Sequence, residues 1–107
     1  MNYRISSPDD VQRFLAEPVA LLYKHSTTCW MSEMAEKVVN DFAQRAPHIP
    51  VYTIDVRFER RLSLELAATL GVEHESPQAI LLREGKAVWD ASHLQITREL
   101  PAGPPYF

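Results

Sequence analysis

One cysteine, Cys29, stands among 107 residues, and three places on stands Ser32, in the run Cys29-Trp30-Met31-Ser32. A thiolate is the attacking species in thiol–disulfide exchange. If this stretch is helical, one turn separates Cys29 from Ser32 and the two share a face. A serine there can donate a hydrogen bond to a thiolate but cannot close a disulfide. A mixed disulfide on Cys29 would therefore need an outside thiol to release it. Lys24 and His25 lie within five residues and could place positive charge near the sulfur, and Thr27 could add a hydrogen bond. The competing reading is a sealed, structural cysteine, a common fate for a free thiol.

A second group lies at Ser76-Pro77, ahead of the apolar run Ala79 to Leu82. A proline leading into a strand sits either at a cis bond or in an ordinary trans turn. His74, three places earlier, either reaches the site or closes a helix-to-strand connection. Trp30 offers either core packing or a contact surface for a substrate. A single cysteine excludes an internal disulfide and an all-cysteine metal knot. The spacing of Cys29, His25 and His74 matches no standard zinc pattern, so no metal is expected. Arg57, Arg60 and Arg61 read as a solvated helix face that could attract the carboxylates of a small acidic thiol.

The elements around these residues follow from pattern. Ser7-Pro8-Asp9-Asp10 has a polar cap, an early proline and acids in the first turn, so a helix starts there. Pro18 ends it. Val19 to Tyr23 is a short, continuous apolar run and reads as a strand buried on both faces. Met31, Met34, Ala35, Val38, Val39 and Phe42 form one helical stripe. The β-branched run from Val51 to Val56 is a second strand. Leu62, Leu66, Ala67 and Leu70 mark a third helix with Gly71 as its stop. Gln78–Arg83 and Ala87–Trp89 are two strands joined at Glu84-Gly85-Lys86. Ser92 with Gln95 is a capping-box pair opening a last short helix to about Leu100.

The order α-β-α-β-α-β-β-α describes an α/β domain with a small mixed four-stranded sheet and helices on both faces, a thioredoxin-like architecture. It would occupy residues 1–100, with a proline-rich, frayed tail at 101–107. In this arrangement Cys29 falls where a buried strand gives way to a helix. Unpaired N–H groups and the macrodipole there would stabilise a thiolate and lower its pKa. In thioredoxin-like folds a cis-proline loop lies across from the cysteine. The residue before that proline, which would be Ser76 here if the bond is cis, would offer its backbone to an extended substrate segment.

Composition narrows the partners. Eleven basic against fourteen acidic residues give a net charge of −3, no footprint for nucleic acid or an anionic membrane. No apolar run is long enough to span a bilayer, and no secretory h-region is visible. A lone free thiol fits a reducing, cytoplasmic setting.

Three separated motifs, taken together, resemble the monothiol bacilliredoxins of the YtxJ type. They are Lys24-His25-Ser26-Thr27-Thr28-Cys29-Trp30-Met31-Ser32, His74-Glu75-Ser76-Pro77-Gln78, and Ala91-Ser92-His93 with Ile96-Thr97. The resemblance implies a thioredoxin-like fold, a cytosolic setting and exchange with the small thiol bacillithiol as co-substrate, with no permanently bound cofactor. It implies Cys29 as nucleophile, Ser76-Pro77 as the cis-proline loop, and bacillithiolated cytosolic proteins as partners. The chain departs from the family at Trp30, where proline often follows the cysteine. Two other function classes use the same scaffold. One is a glutaredoxin-like carrier of an iron–sulfur cluster, the other a docking module without turnover.

Overall fold

The computed structural model describes residues 2–26 and 30–97. Its elements are β1 (Asn2–Arg4), α1 (Pro8–Leu15), β2 (Val19–His25), α2 (Trp30–Arg45), β3 (Val51–Asp55), α3 (Arg60–Leu70), β4 (Gln78–Arg83), β5 (Lys86–Ser92) and a short 3-10 turn of helix, η1 (His93–Thr97). Cys29 and Thr27 lie outside the described residues, as does the tail at 101–107.

The strands form one mixed sheet in the order β1-β3-β2-β4-β5. β1 and β2 flank β3 in parallel, and β4 and β5 run antiparallel beyond β2. β2 is therefore central, and it reads as the continuous apolar run that burial on both faces requires.

Strand period sorts the core into two layers. Leu21 and Tyr23 of β2, Val51 of β3, and Ala79 and Leu81 of β4 pack with Ala35, Val39 and Phe42 of α2 and Ile96 of η1. Ala20 and Leu22, Tyr52 and Ile54, and Ile80 and Leu82 pack with Phe14 of α1 and with Leu62 and Leu66 of α3. α2 thus covers one face, and α1 and α3 cover the other.

Local signals account for the helix ends. The Ser7 hydroxyl accepts from the Asp10 backbone N–H at 3.2 Å, capping α1 ahead of Pro8. Gly71 takes the left-handed conformation, φ 67°, that ends α3. Glu84 and Gly85 both have positive φ, 51° and 80°, which suits a two-residue hairpin between Arg83 and Lys86.

The sheet has five strands, not the expected four. β1 is three residues, exposed, half-buried and exposed in turn, too short for that alternation to establish a period. It is held by pairing to β3, by Tyr3 stacked on Tyr52 at 4.9 Å, and by the fully buried Ile5 just beyond it. Tertiary contacts make that strand, not its own pattern. The expected last helix is a 3-10 segment over its described part. Only half the capping box forms. Gln95 Oε1 accepts from the Ser92 N–H at 3.2 Å, while the Ser92 hydroxyl receives the Gln78 amide at 3.3 Å. The α2 stripe is also narrower than its spacing suggests. Ala35, Val39 and Phe42 are buried, but Met34 is exposed and Met31 and Val38 are half-buried.

Leu66 is fully buried among strand and helix side chains of the second layer. Leu66→Ala should cost about 2–5 kcal/mol in urea unfolding, through lost transfer energy and a residual cavity.

Candidate active site

The end of β2, the start of α2 and the loop before β4 meet at one end of the sheet's central strands. β2 runs out through Lys24, His25 and Ser26 just where α2 begins at Trp30. β4 enters antiparallel beside it, with Lys24 opposite Gln78. The strand period then sends consecutive β2 side chains to opposite faces.

Tyr23 and His25 point to the α2 face. The Tyr23 hydroxyl donates to the Ser32 carbonyl at 3.1 Å and lies 2.9 Å from His25 Nδ1. A tyrosine hydroxyl has one hydrogen, and a carbonyl can only accept. The hydrogen between Tyr23 and His25 therefore comes from His25 Nδ1, and the lone pair of a neutral His25 sits on Nε2. Glu36 Oε2 of α2 lies 3.9 Å from the same Nδ1. Ser32 is only 1% exposed, and its hydroxyl oxygen accepts the Ser26 backbone N–H at 3.2 Å. That bond satisfies a donor at the strand exit and leaves the Ser32 O–H hydrogen to give. Trp30, the first residue of α2, is 66% exposed, so it presents surface, and core packing does not describe it.

Lys24 points to the α3 face and is fully buried. Its Nζ donates to the Ser63 carbonyl of α3 at 3.2 Å and lies 3.1 Å from His74 Nδ1. Burial penalises the charged form and pulls the Lys24 ammonium down from 10.5 to about 8. His74 is held below its ordinary value, first by burial and then by the positive charges of Lys24 and Arg60, against a smaller opposing effect of Glu75.

The loop carrying Ser76-Pro77 is tied down around its centre. Gln78 Nε2 donates to the Glu73 carbonyl at 2.8 Å. His93 Nε2 meets Glu75 Oε2 at 2.9 Å, and the His93 backbone N–H donates to the Pro77 carbonyl at 2.8 Å. The Ser76-Pro77 bond is cis. Ser76 itself makes no hydrogen bond to any described residue. Gln78 Oε1 is a buried acceptor without a donor among the described residues.

Of the residues singled out from sequence, Lys24 and His74 are in direct contact, and His25 and Ser32 are joined through Tyr23. Arg57, Arg60 and Arg61 are exposed. Sequence reasoning passed over Tyr23, Ser63 and Gln78. A signal for Ser63 was present: Lys24 extends an apolar strand run in register with Ala20 and Leu22, and a cation so placed needs a partner on the α3 face.

The Lys24 environment sets a pH signature. Between about 8 and 10.5 the unfolded chain holds a proton on Lys24 that the folded chain has released, so folding stability rises with pH across that window. Tyr52, buried and bonded to Glu17, is held above the ordinary tyrosine value and opposes this gain above about pH 10. Urea unfolding should therefore show wild type gaining on the order of 2–3 kcal/mol relative to Lys24→Met between pH 8 and 10.

The family model described as monothiol bacilliredoxin BrxC matches residues 3–100. A solved protein described as a candidate oxidoreductase with a thioredoxin fold is 32% identical, superimposes with a TM-score of 0.81, and is matched over 89% of this chain and 85% of its own. Thioredoxin from Malassezia sympodialis shares the fold at 15% identity, with a TM-score of 0.74 over 92% of this chain and 84% of its own. A thioredoxin from Halobacterium salinarum does so at 20% identity, with a TM-score of 0.67 over 94% of both chains. With the fold, the lone thiol motif and a match spanning nearly its full length, this chain belongs to the monothiol bacilliredoxin family and is a thiol–disulfide oxidoreductase of thioredoxin fold.

Proposed function

We propose that this oxidoreductase removes bacillithiol from mixed disulfides on protein cysteines, with Cys29 as its one nucleophile. The observation that carries the reading is the family match over residues 3–100 on a chain whose sole cysteine is followed by Ser32. The Cys29 thiolate attacks the bacillithiol sulfur of the mixed disulfide. A new disulfide forms between Cys29 and bacillithiol, and the target cysteine leaves as a thiolate. A second thiol then attacks the bacillithiol sulfur and releases Cys29 as a thiolate. Exchange moves the disulfide without net gain or loss of electrons.

The surroundings support this chemistry. α2 begins at the residue after Cys29, and a helix macrodipole favours an anion at its N-terminus. Ser32 keeps a hydroxyl hydrogen for a thiolate but can form no disulfide. Ser76, which bonds no described residue within a tethered loop, offers main-chain groups to an extended segment. Among the described residues no helix is long and apolar enough to cross a membrane, and the family's cytosolic setting suits a thiol that must stay reduced between turnovers.

The test is incubation with a bacillithiolated protein followed by intact mass. Wild type should gain a bacillithiol adduct while the target loses one, and Cys29→Ser should do neither. An unmodified Cys29 beside an unchanged substrate would overturn the proposal. Trp30 contributes a contact surface, so Trp30→Ala should slow exchange several-fold with a protein substrate. Being exposed, it should shift stability by less than about 0.5 kcal/mol.

A further inference from the structure

Lys24 is the buried member of the chain's three lysines. A lysine ammonium has three hydrogens to give and no lone pair to offer. Its 3.1 Å contact with His74 Nδ1 is therefore a donation by Lys24, and His74 Nδ1 carries the lone pair. The Ser63 hydroxyl lies 3.3 Å from the same nitrogen. A proton added at Nδ1 would face the Lys24 donor directly. In its neutral form His74 thus carries its hydrogen on Nε2, the ring nitrogen not held by Lys24. This is the opposite assignment to His25, whose hydrogen is on Nδ1.

His74 is half-buried on the loop that bears Ser76, two residues away. Its charged neighbours are Lys24 from β2, Arg60 from α3 and Glu75 on its own loop. The Nε2–H is a neutral donor backed by one buried cation, with the exposed Arg60 guanidinium also near enough to be felt. That combination suits an anionic oxygen: one fixed N–H to bond it, and positive charge behind it that needs no strongly hydrated ammonium to be stripped of water.

We propose that Lys24 is a positioning residue, and that by fixing His74 with an Nε2–H that bonds no described residue it builds, beside the Ser76-Pro77 loop, a subsite for a carboxylate of the small thiol undergoing exchange. The inference rests on the exchange reading and names where the low-molecular-weight partner is recognised. Lys24 acts only through His74; His74 makes the contact.

Three measurements test it. Imidazole nitrogen shifts in the wild-type protein should report the Nε2–H form of His74 at neutral pH, and the His74 titration midpoint should rise in Lys24→Met. Titration with mercaptosuccinate, a thiol with two carboxylates, should shift the His74 side-chain resonance, while mercaptoethanol should not. In exchange assays Lys24→Met and His74→Leu should raise KM for a mercaptosuccinate mixed disulfide about tenfold, the loss of one such hydrogen bond, and by at least about fivefold more than for a mercaptoethanol mixed disulfide. His74→Gln keeps an N–H donor without titrating and should recover most of the loss. An Nδ1–H form of His74, no response to mercaptosuccinate, or equal losses on both disulfides would overturn the subsite. The nitrogen shifts and the mercaptosuccinate titration need no turnover, so they decide the subsite even if Cys29 takes no bacillithiol.

Discussion

The alternation of side chains at the end of β2 is the constraint on which the site depends. Three consecutive residues, Tyr23, Lys24 and His25, leave the same strand on alternate faces. Tyr23 and His25 reach the helix that follows Cys29 in sequence, through the Ser32 carbonyl and Glu36. Lys24 reaches α3 and the proline-bearing loop, through Ser63 and His74. One strand terminus therefore sets both the first turn of α2 and the loop that bears the cis proline. A slip of one residue in β2 would exchange the two sets and put a cation among the aliphatic side chains facing α2.

The chemistry of the two histidines follows from partner type rather than from sequence position. His25 faces a hydroxyl whose hydrogen is already committed, so it must give. His74 faces an ammonium, so it must receive. Neither assignment needs a charged imidazole.

Much of the fold was legible because its signals are local. The Ser7-Pro8 cap, the αL position at Gly71 and the Glu84-Gly85 turn each need a specific residue type, and each is where its residue type implies. β1 was not legible, because three residues carry no period, and its burial comes from Tyr52 and the sheet it joins. The last helix was overread for a related reason: Ser92 is drawn to Gln78, a partner 14 residues away, and only Gln95 plays its capping part. In the site, residue types near Cys29 and Pro77 could be read from spacing. Which face each took could not, since Lys24 and His25 are adjacent in sequence and end on opposite sides of the sheet. The Lys24–His74 contact joins residues 50 apart, and nothing in either neighbourhood announces the other.

The anchored loop has a consequence for how recognition is divided between folding and binding. Glu73 is held by Gln78 of β4, His74 by Lys24 of β2, and Glu75 and Pro77 both by His93 of η1, while Ser76 between them bonds no described residue. The conformational entropy of that segment is lost when the chain folds, and an arriving ligand need not order it again. Damage to one fastening would then loosen the segment in the unliganded protein while the native contacts elsewhere persist. Its effect would be felt as reduced occupancy by substrate, in a molecule that still melts much as before.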